Sequence, residues 1–243
     1  MIQQTNGTRE EHTLFSTHIQ KEITFTIYYS SQYTPLIKHH LLIAQDGQDY
    51  FNLGKIHRVI EKLTKEGSIQ PTIIVGIPYS SPEERFSLYH PSQIGQRNYI
   101  RFLAEELLPY LDNHLPLLGL AHSRTLIGDS LGGTVSLQAA FTYPNTFGQV
   151  IMQSPFVNED VTDFLNKINL TSILSIIQTV GKQEDNVFTP SKQWVNFVKD
   201  GLHLKEMLSK FPVELQYFEY DGDHTWTNWE KQLEDLLKNS LAK

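Results

Sequence analysis

Residues 126–133 constrain this chain more than any other segment, because they combine an apolar strand end, a turn of small residues and a helix start. Within them Gly128, Ser130 and Gly132 form a Gly-x-Ser-x-Gly pattern. A serine in such a turn has strained backbone dihedrals, and side chains two residues before and after it would collide, so glycine is favoured there. The N–H groups of the following helix favour negative charge at the turn. The pattern predicts that Ser130 is a nucleophile; the alternative is a glycine-rich turn with an idle serine.

Composition excludes several classes of protein. The chain has 243 residues, a formal net charge of −7 and no basic run, which argues against a nucleic-acid partner. It contains no cysteine, which rules out a disulfide framework, a thiolate nucleophile and a zinc–thiolate site. Residues 1–16 are polar and lack the apolar core of a signal peptide, and no apolar run is long enough to cross a membrane. We therefore expect a soluble, cytoplasmic protein without a membrane partner.

Apolar, β-branched runs alternate with segments of helical periodicity along the chain. The predicted strands are residues 19–29, 39–44, 71–77, 124–127, 149–152, 173–180 and 213–220, and the predicted helices are residues 56–63, 98–115, 191–208 and 229–241, with a further helix from Ser130 to near Pro144 and a loop over residues 79–97. This alternation favours an α/β fold whose mostly parallel central sheet has helices on both faces. The first strand is expected to be antiparallel at the edge. The length suits a single domain over residues 1–243.

A serine hydroxyl needs a general base, and the base needs an orienting partner. Only His203 and His224 follow Ser130 in the chain; His203 lies in a helical segment, whereas His224 follows the last predicted strand. In α/β-hydrolases the acid comes between serine and histidine, and Glu184 and Asp185 stand directly after the preceding strand. We favour Glu184 and retain Asp185. The alternative is that both carboxylates are solvated and that a backbone carbonyl or water holds the histidine.

An ester-hydrolysing serine also needs N–H donors for the oxyanion of its tetrahedral intermediate. The backbone N–H of Leu131, directly after the nucleophile, is the first candidate. The second is expected in the polar loop after the strand at residues 39–44, where Gln48 is our choice and Gly47 would allow a close backbone approach. The alternative is that Asp46 and Gly47 form only a turn.

Further motifs resemble one family within the α/β-hydrolases. They are the oxyanion-loop segment 42–48, Arg85 with the Tyr-His-Pro-Ser segment 89–92, the helical segment 102–110 with its Phe-x-x-x-Glu-Leu-x-Pro pattern, the turn at 128–133, and the His-x-Trp-x-x-Trp segment 224–229. In these features the chain resembles the putative-esterase family, which includes esterase D, feruloyl esterases, mycolyltransferases and the esterases of catecholate siderophores. The resemblance implies an α/β-hydrolase fold over nearly the whole chain, a triad of Ser130, Glu184 and His224, and no cofactor.

The resemblance also implies a serine esterase that acts on a small-molecule ester. A catecholate siderophore trilactone is the leading substrate, and small acyl or feruloyl esters remain open, with Arg85, Tyr89 and Trp226 as expected substrate contacts. Some siderophore esterases in this family work with a serine–histidine pair, so the resemblance leaves open whether an acid takes part at all. An acyltransferase is the first alternative, and a non-catalytic binding protein on the same scaffold is the second. The presence of Ser130, His224 and a carboxylate argues against the binding protein.

Neither of two patterns that suggest a metal site is sufficient for one. His39 and His40 are adjacent on a predicted strand, so their side chains point to opposite faces of the sheet. Residues 221–223 read Asp-Gly-Asp, which resembles a fragment of a calcium loop but lacks the remaining ligands. We therefore expect no metal site.

Overall fold

An eight-stranded sheet runs through the computed structural model, which describes residues 7–190 and 192–242. The strands are β1 (Thr8–Ser16), β2 (Lys21–Tyr29), β3 (His40–Ala44), β4 (Thr72–Gly76), β5 (Arg124–Asp129), β6 (Gln149–Gln153), β7 (Leu174–Gly181), β8 (Val187–Phe188), β9 (Trp194–Val195) and β10 (Val213–Tyr220). The order in the sheet is β1-β2-β4-β3-β5-β6-β7-β10, while β8 and β9 form a separate hairpin. Every pair from β4 to β10 in this order is parallel. The prediction of a mostly parallel sheet is confirmed.

Helices cover both faces of the sheet. They are α1 (Gly47–Asn52), α2 (Ile56–Lys65), α3 (Pro82–Tyr89), α4 (Ile94–Arg101), α5 (Leu108–His114), α6 (Leu131–Thr142), α7 (Glu159–Lys167), α8 (Phe197–Leu208) and α9 (Trp226–Leu241). A π-helical turn, Phe102–Leu107, joins α4 to α5. Along β3, Leu41 and Ile43 pack with α4 to α8, whereas Leu42 and Ala44 pack with α1, α2 and α9. This alternation follows from the two-residue period of a strand. Within the described residues, none of these helices is both long and apolar enough to span a bilayer.

The prediction that residues 19–29 form the edge strand is wrong. β2 pairs antiparallel with β4 on one side and with β1 on the other, so β1 is the edge. The sequence analysis missed β1 because most of its side chains are exposed and several are charged. An edge strand with one solvated face lacks the continuous apolar run of a central strand.

The segment predicted as a loop, residues 79–97, instead contains α3. Its signal is a capping motif: the Ser81 side chain accepts a hydrogen bond from the Glu84 N–H at 3.2 Å, and Pro82 occupies the first turn. Apolar periodicity could not reveal α3, because Tyr89 is its one buried residue. The helix predicted from residue 191 begins at Phe197, since the β8–β9 hairpin precedes it.

The turn at Ser130 has the geometry that its sequence predicts. β5 ends at Asp129 and α6 begins at Leu131, so Ser130 alone makes the turn, with φ 50° and ψ −120°. The Ser130 N–H donates to the Gln153 carbonyl oxygen at 2.9 Å, which ties the turn to β6. A Cβ atom at Gly128 would lie 2.2 Å from the carbonyl carbon of Gly132. Glycine is therefore required at position 128 by the close approach of α6 to β5.

Replacing Gly128 with alanine should destabilise the protein, because the added methyl group would collide with backbone rather than with a flexible side chain. We expect the free energy of unfolding, measured in urea, to fall by about 2–3 kcal/mol. Gly201→Ala within α8 is the control: its new methyl group would lie 3.3 Å from the end of the Gln178 side chain and in ordinary contact, at 3.9 Å, with Val180, and it would meet no backbone atom at a shorter distance. That variant should stay within about 1 kcal/mol of the wild type. Equal stability of Gly128→Ala and the wild type would contradict the close approach.

Candidate active site

Parallel strands bring the three predicted catalytic residues to one edge of the sheet. Ser130 follows β5, Glu184 follows β7 closely, and His224 lies between β10 and α9. β5, β6, β7 and β10 are consecutive parallel neighbours, so their carboxyl ends meet at the same edge. Ser130 and His224 line the same cavity, which has a volume of about 440 Å³.

Glu184 holds the imidazole of His224. Its side chain is fully buried, and its Oε2 lies 2.8 Å from His224 Nδ1. The other oxygen, Oε1, accepts hydrogen bonds from Ser154 Oγ at 2.7 Å and from the Gly181 N–H at 2.9 Å. Trp229 Nε1 in turn donates to Ser154 Oγ at 3.2 Å. Because Oε1 is committed to two donors, Oε2 is left to bind the imidazole.

Two aromatic rings restrict the orientation of His224. Phe197 stacks on the imidazole with ring centroids 4.0 Å apart, and Trp229 meets it edge-on at 4.8 Å. With Nδ1 bonded to Glu184, Nε2 is the ring nitrogen that remains to accept a proton. In the sequence, Trp229 stands out as part of the His-x-Trp-x-x-Trp segment, whereas nothing there points to Ser154 or Phe197. No short motif marks those two residues, since each acts through the tertiary position of its own element.

The structure brings Glu184, and not Asp185, to His224. Asp185 is exposed and lines a different depression, together with residues of α8. Adjacent residues in this loop face opposite ways, so one carboxylate is buried and the other is solvated. His203, the other histidine after Ser130, is exposed on α8.

The two predicted oxyanion donors differ in what the structure shows. Leu131 is the first residue of α6 and lines the cavity. Gln48 lies in the first turn of α1, where a helix has N–H groups without an intrahelical acceptor. Its side chain does not line the cavity, because its Oε1 accepts from the Tyr79 N–H at 3.3 Å. Gly47 does allow a close backbone approach, but to β4: a Cβ there would lie 2.4 Å from the Gly76 carbonyl carbon.

Arg85 directs its hydrogen bonds to the protein rather than into the cavity. Its Nε lies 2.9 Å from both carboxylate oxygens of Asp46, and its Nη2 donates to Asp46 Oδ2 at 2.6 Å and to the Asp129 carbonyl oxygen at 3.2 Å. The side chain lines the cavity beside these contacts. These contacts form a structural ion pair that joins the loop after β3 to the end of β5. The expected role of Arg85 in binding substrate stays a prediction.

The expectation that Tyr89 contacts substrate is wrong. Its side chain is 1% exposed and does not line the cavity with Ser130. Its hydroxyl instead accepts a hydrogen bond from the Asp46 N–H at 3.3 Å, beneath the loop after β3. Trp226 does line the cavity, where its ring packs edge-on against Tyr50 at 4.8 Å.

The wall of the cavity is mainly apolar and aromatic. Its apolar and aromatic side chains include Phe86, Phe156, Val187, Phe188, Trp226 and Trp229. Such a wall suits an ester with an aromatic or otherwise apolar group. In the part of the chain that the structure describes, no three histidine, aspartate or glutamate side chains cluster as a metal site would require.

A comparison with known families decides the class of this protein. The family described as "Putative esterase" matches residues 16–239. The chain belongs to the putative-esterase family. This membership confirms the predicted enzyme class, a carboxylic-ester hydrolase. The uncharacterized protein YjcH of Bacillus subtilis is 41% identical over 236 residues, which cover 97% of this chain and 98% of that protein.

Other similar proteins have named activities. The iron(III) salmochelin esterase of Escherichia coli is 31% identical over 117 residues, 47% of this chain and 28% of that enzyme. The solved structure of the enterobactin esterase FES from Shigella flexneri has a TM-score of 0.80 at 18% identity and covers 96% of this chain and 59% of FES. The solved structure of the BES protein of Bacillus cereus has a TM-score of 0.78 at 22% identity and covers 100% of this chain and 97% of BES. These structural likenesses confirm the α/β-hydrolase fold.

If Glu184 orients His224, Glu184→Gln should lower kcat strongly. The amide keeps the shape, but it removes the charge that stabilises the imidazolium and offers an N–H either to His224 or to the donors Ser154 and Gly181. Loss of the orienting charge in the serine-protease template costs about 10⁴-fold in kcat. For an ester with a better leaving group we expect a smaller loss, of at least about tenfold, measured as kcat for ester hydrolysis.

Asp185→Asn is the matched control for this experiment, because it removes an adjacent charge that is exposed to solvent. It should leave kcat within about twofold of the wild type. A large loss of kcat in Asp185→Asn would assign the role of the acid to Asp185 instead of Glu184. Full activity of both single variants and of the double variant would indicate a Ser130–His224 pair.

Proposed function

We propose that this chain is a serine esterase that uses a triad of Ser130, His224 and Glu184 within one domain over residues 1–243. The observation that carries the proposal is the 2.8 Å hydrogen bond between Glu184 and an imidazole that lines the same cavity as Ser130. A buried carboxylate, a histidine and a serine at a strained turn are the three parts that convert a hydroxyl into a nucleophile near neutral pH.

The proposed reaction has two halves. Ser130 Oγ attacks the ester carbonyl carbon while His224 Nε2 takes the hydroxyl proton, and His224 then gives that proton to the departing alkoxide. A water molecule next attacks the acyl-serine, again with His224 as the base, and releases the acid. Glu184 stabilises the imidazolium in both halves. The backbone N–H groups of Leu131 and Gln48 are the proposed oxyanion donors, each worth roughly 2.7–4 kcal/mol of barrier.

The proposed substrates are small esters with an aromatic group, either a catecholate siderophore trilactone or a feruloyl or other aryl acyl ester. The aromatic wall of the cavity supports this class. The similarity to the iron(III) salmochelin esterase supports the trilactone in particular. Of the three substrate contacts predicted from the sequence, we retain Trp226 and Arg85, which line the cavity, and not Tyr89.

Ser130→Ala should abolish ester hydrolysis while leaving the fold intact, because Ser130 makes the turn between β5 and α6 and lines the same cavity as His224. The measurement is turnover of a panel of esters, including iron-free and ferric trilactones, small acyl esters and feruloyl esters. Covalent labelling by a fluorophosphonate should be lost in the same variant. Hydrolysis at the wild-type rate by folded Ser130→Ala protein would exclude the mechanism.

Hydrolysis requires His224 in its neutral form, because a protonated imidazole cannot accept the serine proton. The measurement is kcat/KM for one ester between pH 5 and pH 7.5, with the enzyme's fold followed by circular dichroism over the same range. A fluorophosphonate labelling rate that falls with the same midpoint would assign the effect to nucleophile activation. A flat profile with the chemical step rate-limiting would contradict the role of His224.

A further inference from the structure

Three carboxyl groups and one guanidinium lie together beneath the nucleophile turn. Asp46 comes from the loop after β3, Asp49 from α1 and Asp129 from the last position of β5, while Arg85 reaches them from α3. Asp46 and Asp129 are 1% and 5% exposed. One buried cation therefore faces three acids, so charge balance favours a proton on at least one of them.

The contacts show which acid lacks compensation. Arg85 bonds both oxygens of Asp46, but its Nη2 comes no closer than 3.6 Å to Asp129 Oδ2. Asp49 is less buried, and its Oδ2 accepts from the Tyr79 hydroxyl at 3.1 Å. Asp129 Oδ1 is buried without a hydrogen-bond partner among the described residues. An unpartnered oxygen costs far more on a buried carboxylate than on a neutral acid.

The electrostatic surroundings act in the same direction. Burial, with repulsion from Asp46, raises the pKa of Asp129 to about 8, against the attraction of Arg85. Burial also raises the pKa of Asp46, but Arg85 bonds both oxygens of Asp46, and Asp129 lacks such bonds. The tyrosines around the cluster do not ionise in this range, since burial raises the pKa of Tyr79 to about 12 and holds the pKa values of Tyr50 and Tyr89 well above their ordinary value.

Asp129 lines the same cavity as Ser130 and immediately precedes it in the chain, so their Cα atoms are about 3.8 Å apart. A tetrahedral intermediate on Ser130 carries a negative charge, which a carboxylate at this position would oppose. We propose that Asp129 serves this reaction as a neutral carboxylic acid beside the nucleophile, and that its ionisation sets the alkaline limit of activity. The inference rests on the proposed function of Ser130 and adds to it a residue that keeps negative charge away from the oxyanion.

The test is the alkaline half of the pH profile in wild-type protein and in Asp129→Asn. Asparagine keeps the shape and the neutral state of the proposed acid. Between pH 7 and pH 9.5 the wild-type kcat should fall by about tenfold or more, with a midpoint near the pKa of about 8. In Asp129→Asn the kcat at pH 9.5 should stay within about threefold of that variant's own kcat at pH 7, so that the alkaline fall is absent. Ser130→Ala supplies the blank for spontaneous ester hydrolysis at high pH.

Two further variants separate this effect from a general loss of acid residues. Asp163→Asn removes a well-exposed carboxyl on α7 and should retain the wild-type alkaline limb. Asp49→Asn should move the midpoint to lower pH, because the charge of Asp49 raises the pKa of Asp129. For Asp49→Asn, the pH midpoint of the alkaline fall is compared with the wild type, but kcat itself is not, because Asp49 also lines the cavity.

A measurement independent of turnover is the ¹³C resonance of the aspartate carboxyls. One resonance that is absent from Asp129→Asn should titrate near pH 8 in the wild type. Three results would each overturn the proposal: a wild-type kcat that holds to pH 10, an unchanged alkaline limb in Asp129→Asn, or a folded Asp129→Asn that is inactive at pH 7. Activity retained by Ser130→Ala would instead refute the triad, and the carboxyl titration would still test the state of Asp129.

Discussion

The ion pair between Arg85 and Asp46 is the contact on which the arrangement of the site depends. It joins α3 to the loop after β3, and the same guanidinium donates to the carbonyl oxygen of Asp129 at the end of β5. Three elements that are distant in sequence are thereby held around the turn that carries Ser130. Removing one partner of such a buried pair leaves an uncompensated charge, which typically costs about 3–5 kcal/mol. The pair thus positions the nucleophile turn and the proposed oxyanion loop against each other.

A second chain of contacts orients the proposed base. Trp229 donates to Ser154, Ser154 donates to Glu184, and Glu184 binds His224, while Phe197 stacks on the imidazole. The hydrogen bond from Ser154 occupies Oε1 of Glu184, so that Oε2 is left to bind His224. The carboxyl groups of Glu184 and Asp129 differ in their hydrogen bonds. Both oxygens of Glu184 have a donor or the imidazole as partner, whereas Asp129 has a buried oxygen without a partner among the described residues. This difference in hydrogen bonding is the physical reason for assigning a charged role to one and a neutral role to the other.

Much of the fold could be predicted because central strands are buried on both faces and carry largely apolar runs, as β3 and β4 do. The edge strand β1 and the short helix α3 could not be found in this way, because most of their side chains are not buried. The roles expected for Arg85 and Tyr89 came from resemblance. The structure turns both toward Asp46, since a buried carboxylate attracts the nearest donors and a buried backbone N–H needs an acceptor.

The sequence by itself determined the turn at Ser130 and the mostly parallel sheet, because these follow from local sterics and from strand periodicity. The expected order of serine, acid and histidine came from the pattern of α/β-hydrolases and not from these local rules. The tertiary structure decided which carboxylate meets His224, since Glu184 and Asp185 are chemically alike and differ only in burial. It also decided that Arg85 pairs with Asp46 and that one buried carboxyl oxygen of Asp129 has no hydrogen-bond partner among the described residues. Charge compensation depends on distances between residues far apart in the chain, and no local pattern encodes those distances.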